Sequence, residues 1–204
     1  MKKIFLASSF KEVCPVFADF EKNVKGKTVT FIPTASTVEK VVFYVDAGKK
    51  ALEKLGAIVD ELDVSTAAAD EISTKLRHND FIYVSGGNTF FLLQELKRTG
   101  ADQIIIEEVN AGKLYIGESA GAIITAASIE YAQAMDSCKK APDLHDFGAL
   151  HLVDFYTVPH CTNFPFKKAA QKIIDHYSDT LNLSPISNHE AILIVGDEVR
   201  VEKS

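Results

Sequence analysis

The chain has 204 residues, of which 47% are hydrophobic and 25% are charged, the balance of a globular protein with enough apolar material for a sizeable core. The net charge is −6 and the basic residues form no stripe, so neither nucleic acid nor an anionic membrane is an expected partner. No apolar run approaches the ~20 residues of a membrane span. The three cysteines are odd in number and unclustered, which predicts free thiols in a reducing cytoplasm and no metal site.

Strand-like and helix-like segments alternate from the amino terminus onward. The start, MKKIFLASSF, is too short in its apolar part for a signal peptide, so we expect a first strand there. Further strands are predicted at 28–33, 57–62, 80–85 and 113–117. Helical periodicity occupies the intervening stretches 38–55, 71–77, 89–99 and 102–111, and a later one at 166–177.

This alternation predicts an α/β fold with three layers, a mostly parallel sheet carrying helices on both faces. Two strand-like runs around Gly196-Asp197 predict a carboxyl-terminal β-hairpin over 191–202. No linker or repeat interrupts the chain, so a single domain over 1–204 is expected. Sites in such sheets form at the carboxyl ends of strands, which places 34–37, 85–88 and Ser119 on one edge.

The stretch YIGESAGA (115–122) places Ser119 between Gly117 and Gly121, directly after a predicted strand and before a small apolar helix. Strand, cramped turn and helix form a G-x-S-x-G nucleophile elbow, which lifts the serine oxygen above the sheet edge. The alternative is an ordinary glycine-rich turn in which the serine only caps the helix. The pentapeptide alone does not separate the two readings.

A nucleophilic serine needs a base and a third group that orients the base. Among the six histidines, His160 follows the apolar run FYTVP and is expected at the carboxyl end of a strand, on the edge that carries Ser119. Glu190, at the start of the hairpin, is the preferred third member, and Asp136 is its rival. Oxyanion donors are available from Ala120 and from the glycine pair of SGGN (85–88).

Four segments in this order, VSGGNTFFLLQEL, IGESAGAIITA, VPHCTNFPF and NHEAILIVGDEVRVE, resemble the peptidase E (aspartyl dipeptidase) family, which is related to cyanophycinases. The resemblance covers most of the chain. It implies a class I glutamine-amidotransferase-like fold and a cytoplasmic serine peptidase that acts without a cofactor on short peptides with a free amino terminus.

Position by position, the resemblance makes Ser119 the nucleophile, His160 the general base and Glu190 the orienting carboxylate. It assigns the oxyanion N–H groups to Gly87 and Ala120. Asn88 is expected to shape the substrate-binding loop, and Asp136 to bind the substrate amine.

The chain departs from the family pattern at Glu118 and Ile123, where the family has an aromatic residue and an asparagine. Selection of an N-terminal aspartate needs a cation, for which Lys139, Lys140 and Lys167 are the candidates, so the identity of the first substrate residue stays open.

Two other classes of protein compete with this interpretation. One is an α/β-hydrolase esterase with the order Ser119, Asp136, His160, and the other is a non-catalytic relative that binds a small ligand. The residues leave the oligomeric state undetermined.

Overall fold

The computed structural model describes all residues from Met1 to Ser204. Its centre is a seven-stranded sheet in the order β3-β2-β4-β5-β1-β8-β9. The strands are β1 (Lys3–Ala7), β2 (Thr28–Ile32), β3 (Ile58–Glu61), β4 (Phe81–Val84), β5 (Leu114–Glu118), β8 (Glu190–Val195) and β9 (Glu198–Lys203). The first five in chain order are mutually parallel, and β8 joins β1 antiparallel and forms the predicted hairpin with β9.

The helices connect the strands, as the alternating pattern predicts. They are α1 (Cys14–Phe20), α2 (Phe43–Lys54), α3 (Ala69–His78), α4 (Thr89–Thr99), α5 (Ala101–Ala111), α6 (Ala120–Ile123) and α7 (Lys167–Tyr177). The three-layer, mostly parallel α/β fold and the terminal hairpin are therefore confirmed. None of these helices is both long enough and apolar enough to cross a lipid bilayer.

Strand residues alternate between two cores, one on each face of the sheet. Ile4 and Leu6 of β1 lie in the larger cluster, which α3, α4, α5 and α7 cover. Phe5 and Ala7 lie in the smaller cluster under α1 and α2. Both faces are buried, which explains why the parallel strands read as continuous apolar runs rather than as alternating ones.

Two local expectations are wrong. Helix α2 begins at Phe43 rather than near Val38, because Lys140 holds the Val38 carbonyl and the Glu39 carboxylate and so draws this segment away from a helical path. The strand before His160, β6 (Tyr156–Val158), lies outside the main sheet and pairs with β7 (Leu183–Pro185) in a separate two-stranded sheet. The side of β1 that faces away from β5 is already paired with β8, so β6 cannot join the main sheet there.

Candidate active site

Ser119 lies on the turn between β5 and α6, at the carboxyl end of a central strand. Its φ of 51° is in the left-handed region, a strained conformation that recurs at functional positions. The elbow needs both flanking glycines. A Cβ on Gly121 would lie 2.2 Å from the carbonyl oxygen of Val84, and one on Gly117 would lie 2.5 Å from the carbonyl oxygen of Gly121. The turn is therefore the strand-to-helix elbow that the sequence predicts.

His160 reaches Ser119 from the loop after β6. The distance from Ser119 Oγ to His160 Nε2 is 3.0 Å, within hydrogen-bond range. His160 also has a positive φ of 60°, and its backbone N–H donates to Ser8 Oγ at 2.9 Å. The ring of Phe166 stacks on the imidazole with a centroid separation of 4.9 Å. The imidazole is thus held from three sides beside the serine.

Asn188 contacts His160 Nδ1, and the predicted Glu190 does not. Asn188 Oδ1 lies 2.7 Å from His160 Nδ1. Glu190 instead accepts a hydrogen bond from the backbone N–H of Ser187 at 2.8 Å, closing a short turn onto itself. Since the amide oxygen of Asn188 can only accept, it selects the tautomer with the proton on Nδ1 and leaves Nε2 free to accept the Ser119 proton.

Asn163 supports this arrangement behind Asn188. Its side-chain Oδ1 accepts from the backbone N–H of Asn188 at 2.8 Å, and its own N–H donates to the carbonyl of His160 at 3.0 Å. Burial lowers the pKa of His160, and the hydrogen bond that Nδ1–H donates to Asn188 opposes this effect. A histidine with a lowered pKa is neutral at pH 7, as a general base must be.

Two backbone N–H groups near Ser119 have no acceptor within the protein. The glycine loop 86–87 follows β4, next to the elbow, and a Cβ on Gly86 would lie 3.2 Å from Cβ of Ser119. The N–H groups of Gly87 and Ala120 donate to no acceptor within the protein. They are therefore available to a ligand, and their role as oxyanion donors stays a prediction.

Asp136 and Asn88 tie the neighbouring loops to the first turn of α4. Asp136 Oδ2 accepts from the backbone N–H of Thr89 at 3.0 Å and from Thr89 Oγ1 at 2.5 Å, whereas Oδ1 has no hydrogen-bond partner in the protein. Asn88 accepts from Phe91 N–H at 2.9 Å and donates to the Ser137 carbonyl at 3.2 Å. Through these bonds Asn88 fixes the shape of the loop at the start of α4. The Oδ1 atom of Asp136 remains available to a ligand.

Asp136 makes no hydrogen bond to His160, so the esterase arrangement Ser119, Asp136, His160 is not formed. Burial is the main cause of a raised pKa of Asp136, and Glu39 adds to it. The bonds from Thr89 and the nearby ammonium of Lys140 lower it again.

Glu118 is the unexpected acid next to the nucleophile, and only 3% of it is exposed. It is turned toward α1 and α2, where Oε1 accepts from Phe10 N–H at 2.9 Å and Oε2 from Tyr83 Oη at 2.8 Å. Burial raises the pKa of Glu118 to about 7, although both hydrogen bonds act in the opposite direction. Glu118 therefore fastens the β1–α1 loop under the site.

These residues surround one cavity of about 600 Å³, the size of a small-molecule or short-peptide site. Its lining includes Ser119, His160 and Asn188 on one side and Asp136, Lys140 and Glu39 on another. Sequence reasoning missed Asn188, Ser8 and Glu39. Asn188 lies in the quoted segment NHEAILIV, but the segment does not show which of its side chains turns back to the histidine.

The sequence profile of peptidase family S51 matches residues 4–202. The chain belongs to peptidase family S51. It is 67% identical to an uncharacterized peptidase of Listeria innocua over 98% of this chain and 95% of that protein. It is 33% identical to peptidase E of Haemophilus influenzae over 63% of this chain and 61% of that one. Membership makes the chain a serine-type peptidase, a hydrolase, as the motifs predict.

Solved structures agree with this assignment. The crystal structure of a putative peptidase E protein from Listeria monocytogenes EGD-e has a TM-score of 0.97 and 64% identity, covering 100% of this chain and 99% of that one. A peptidase from an acI-B1 actinobacterium has a TM-score of 0.74 at 22% identity, covering 100% and 88%, which shows a shared fold. The non-catalytic and esterase alternatives are thus set aside in favour of a family S51 peptidase.

Proposed function

We propose that this family S51 member cleaves the first peptide bond of dipeptides and other short peptides with a free amino terminus. The observation that supports this proposal best is a pair of hydrogen bonds through one imidazole, a relay of contacts. One joins Ser119 Oγ to His160 Nε2 at 3.0 Å, and the other joins His160 Nδ1 to Asn188 at 2.7 Å. The relay lies in a cavity of about 600 Å³, which suits a short peptide and not a folded protein.

In the proposed reaction, Ser119 Oγ attacks the carbonyl carbon of the first residue while His160 Nε2 takes its proton. The N–H groups of Gly87 and Ala120 stabilise the oxyanion, a contribution of roughly 3–4 kcal/mol per donor in known cases. The imidazolium then gives its proton to the leaving amine. Water, deprotonated by His160, releases the first residue from the acyl-enzyme.

Asp136 is proposed to bind the amino group of the substrate. Asp136 lines the cavity, its Oδ1 has no hydrogen-bond partner in the protein, and the bonds from Thr89 to Oδ2 hold the carboxylate in place. An ammonium that pairs with this carboxylate fixes the distance from the amino terminus to the attacked carbonyl, so only the first peptide bond reaches Ser119.

The test is a panel of dipeptides and aminoacyl anilides, each with a free and with an acetylated amino terminus. We expect cleavage of the free forms and a loss of at least about 100-fold in kcat/KM on acetylation, because the acetyl group removes the charge that Asp136 pairs with. Equal rates for free and acetylated forms would contradict the proposal.

A further inference from the structure

The charged groups around Asp136 leave no free cation for a substrate side chain. Lys140 is the one lysine or arginine that lines the cavity, and its Nζ lies 2.6 Å from Glu39 Oε1 and 3.1 Å from the carbonyl of Val38. Lys139 and Lys167 are not part of the lining. The arginines form ion pairs elsewhere: Arg77 with Glu107 and Glu108, Arg98 with Glu95, and Arg200 with Glu202.

Carboxylates outnumber ammonium groups in the lining of the cavity, with Glu39, Glu118 and Asp136 against Lys140 alone. Tyr44 lies over the glycine loop, since a Cβ on Gly86 would approach its ring to 3.4 Å. The pKa of Tyr44 is raised to about 12, first by burial and then by the carboxylates of Glu39, Glu118 and Asp136. Burial and these carboxylates disfavour a phenolate here, and the same two causes disfavour the charged form of an aspartyl side chain.

Large apolar side chains line the same cavity and are open to solvent. Val41 is 59% exposed, Phe43 is 74% exposed and Phe164 is 95% exposed. Ile123 and Met135 contribute further apolar lining. Exposed apolar surface in a ligand cavity is stabilised when an apolar ligand group covers it.

The position of the first side chain follows from the two anchors of the proposed function. The amino group at Asp136 and the carbonyl at Ser119 belong to the same residue, so its side chain branches from the atom between them. Met135 precedes Asp136 directly, and Ile123 ends the short helix that Ser119 begins. Both apolar residues line the cavity and are close in sequence to the two groups that hold the first residue.

We propose that the substrates are peptides whose first residue is apolar and uncharged, and that N-terminal aspartyl peptides are poor substrates. This inference rests on the proposed function. Glu39 is the specificity-determining residue on the charged side, because it neutralises Lys140. Ile123, Met135 and Phe43 receive the side chain on the apolar side.

Three substrates of similar size separate charge from shape: the leucyl, asparaginyl and aspartyl anilides. We expect kcat/KM for the leucyl substrate to exceed that of the asparaginyl one by about 10-fold and that of the aspartyl one by about 100-fold. An aspartyl substrate that is cleaved as well as the leucyl one would overturn the inference.

A variant tests the part played by Glu39. Glu39→Gln frees the Lys140 ammonium, so the ratio of aspartyl to leucyl kcat/KM should rise about 10-fold. Glu107→Gln is the matched control, since it removes a carboxylate of α5 from its ion pair with Arg77 of α3, outside the cavity. An unchanged ratio in Glu39→Gln would contradict the role of the Glu39–Lys140 pair.

Labelling of Ser119 by a fluorophosphonate distinguishes failure of this inference from failure of the proposed function. If Ser119 is labelled and aspartyl substrates are preferred, only the specificity proposal is wrong. If Ser119 is not labelled and neither free nor acetylated substrate is cleaved, the proposed function is wrong and this inference is lost with it.

Discussion

An amide occupies the place where serine hydrolases commonly carry a carboxylate. Asn188 orients His160 through a neutral oxygen at 2.7 Å, and so it fixes the tautomer without adding a negative charge. The proposed mechanism therefore places a dipole, and not an ion-pair partner, beside the imidazolium of the acyl-transfer step. Burial keeps the pKa of His160 below its ordinary value, although the hydrogen bond to Asn188 acts in the opposite direction.

The first prediction concerns Asn188→Asp. A carboxylate next to His160 Nδ1 favours the charged imidazole and raises its pKa, so the acid limb of the kcat/KM profile should move to higher pH. In the wild type this limb should lie below about pH 6.5, the ordinary histidine pKa. Asn182→Asp, at an exposed residue just before β7, serves as the control, and an unmoved limb in Asn188→Asp would refute the contact as the determinant.

The second prediction concerns Asp136→Asn. The amide keeps an acceptor for Thr89 and so preserves the cap of α4, but it loses the charge proposed to bind the substrate amine. Cleavage of free substrates should fall about 100-fold in kcat/KM, whereas the slow cleavage of acetylated forms should not change. Asp19→Asn, an exposed surface change, is the control. An equal loss on both kinds of substrate would indicate a structural role alone.

At the scale of elements, the elbow depends on how closely α6 approaches β4. A Cβ on Gly121 would lie 2.2 Å from a backbone oxygen of Val84, which no side-chain movement relieves. Gly121→Ala should therefore displace α6 with Ser119 and lower the free energy of unfolding by about 2–4 kcal/mol.

The control for this third prediction is Gly148→Ala, whose Cβ would meet only the side chain of Asp146 at 3.3 Å. Urea unfolding followed by circular dichroism measures both variants, and hydrolysis assays follow the site. Wild-type stability together with wild-type activity in Gly121→Ala would show that the elbow tolerates a side chain.

The elements were more predictable than the contacts between them. The five parallel strands were read within two residues at their ends because each is a buried apolar run between turn signals. The elbow was readable because glycine spacing and apolar flanks are local. Asn188 was not, since the turn at 187–190 bends Glu190 back onto the Ser187 N–H, and local sequence does not reveal that bend. His160 was placed on the wrong sheet, but its loop still delivers it to Ser119.

For the molecule as a whole, Glu118 connects stability to pH. Its pKa of about 7 in the folded protein exceeds the ordinary value of 4.5. The folded state therefore binds the proton more tightly, and the resulting stabilisation is complete below pH 4.5 and is lost as the pH rises through 7. The difference corresponds to about 3 kcal/mol.

The fourth prediction is that Glu118→Gln, which keeps a neutral partner for Phe10 N–H and Tyr83, shows a smaller loss of unfolding free energy between pH 5 and pH 8 than the wild type. Chemical denaturation at several pH values measures the difference, and the exposed Glu12→Gln is the control. A decline in Glu118→Gln as steep as that of the wild type would rule out Glu118 as the cause.

The proposed mechanism depends most on Ser119 as a nucleophile activated by His160, and covalent labelling tests this role most directly. A fluorophosphonate should modify the wild type on the tryptic peptide that contains Ser119, and the same protein should hydrolyse free aminoacyl anilides. Ser119→Ala should lose the label and at least about four orders of magnitude in kcat while folding normally, and the exposed Ser178→Ala should retain both. Hydrolysis that persists in Ser119→Ala, or a label on another residue, would contradict the account.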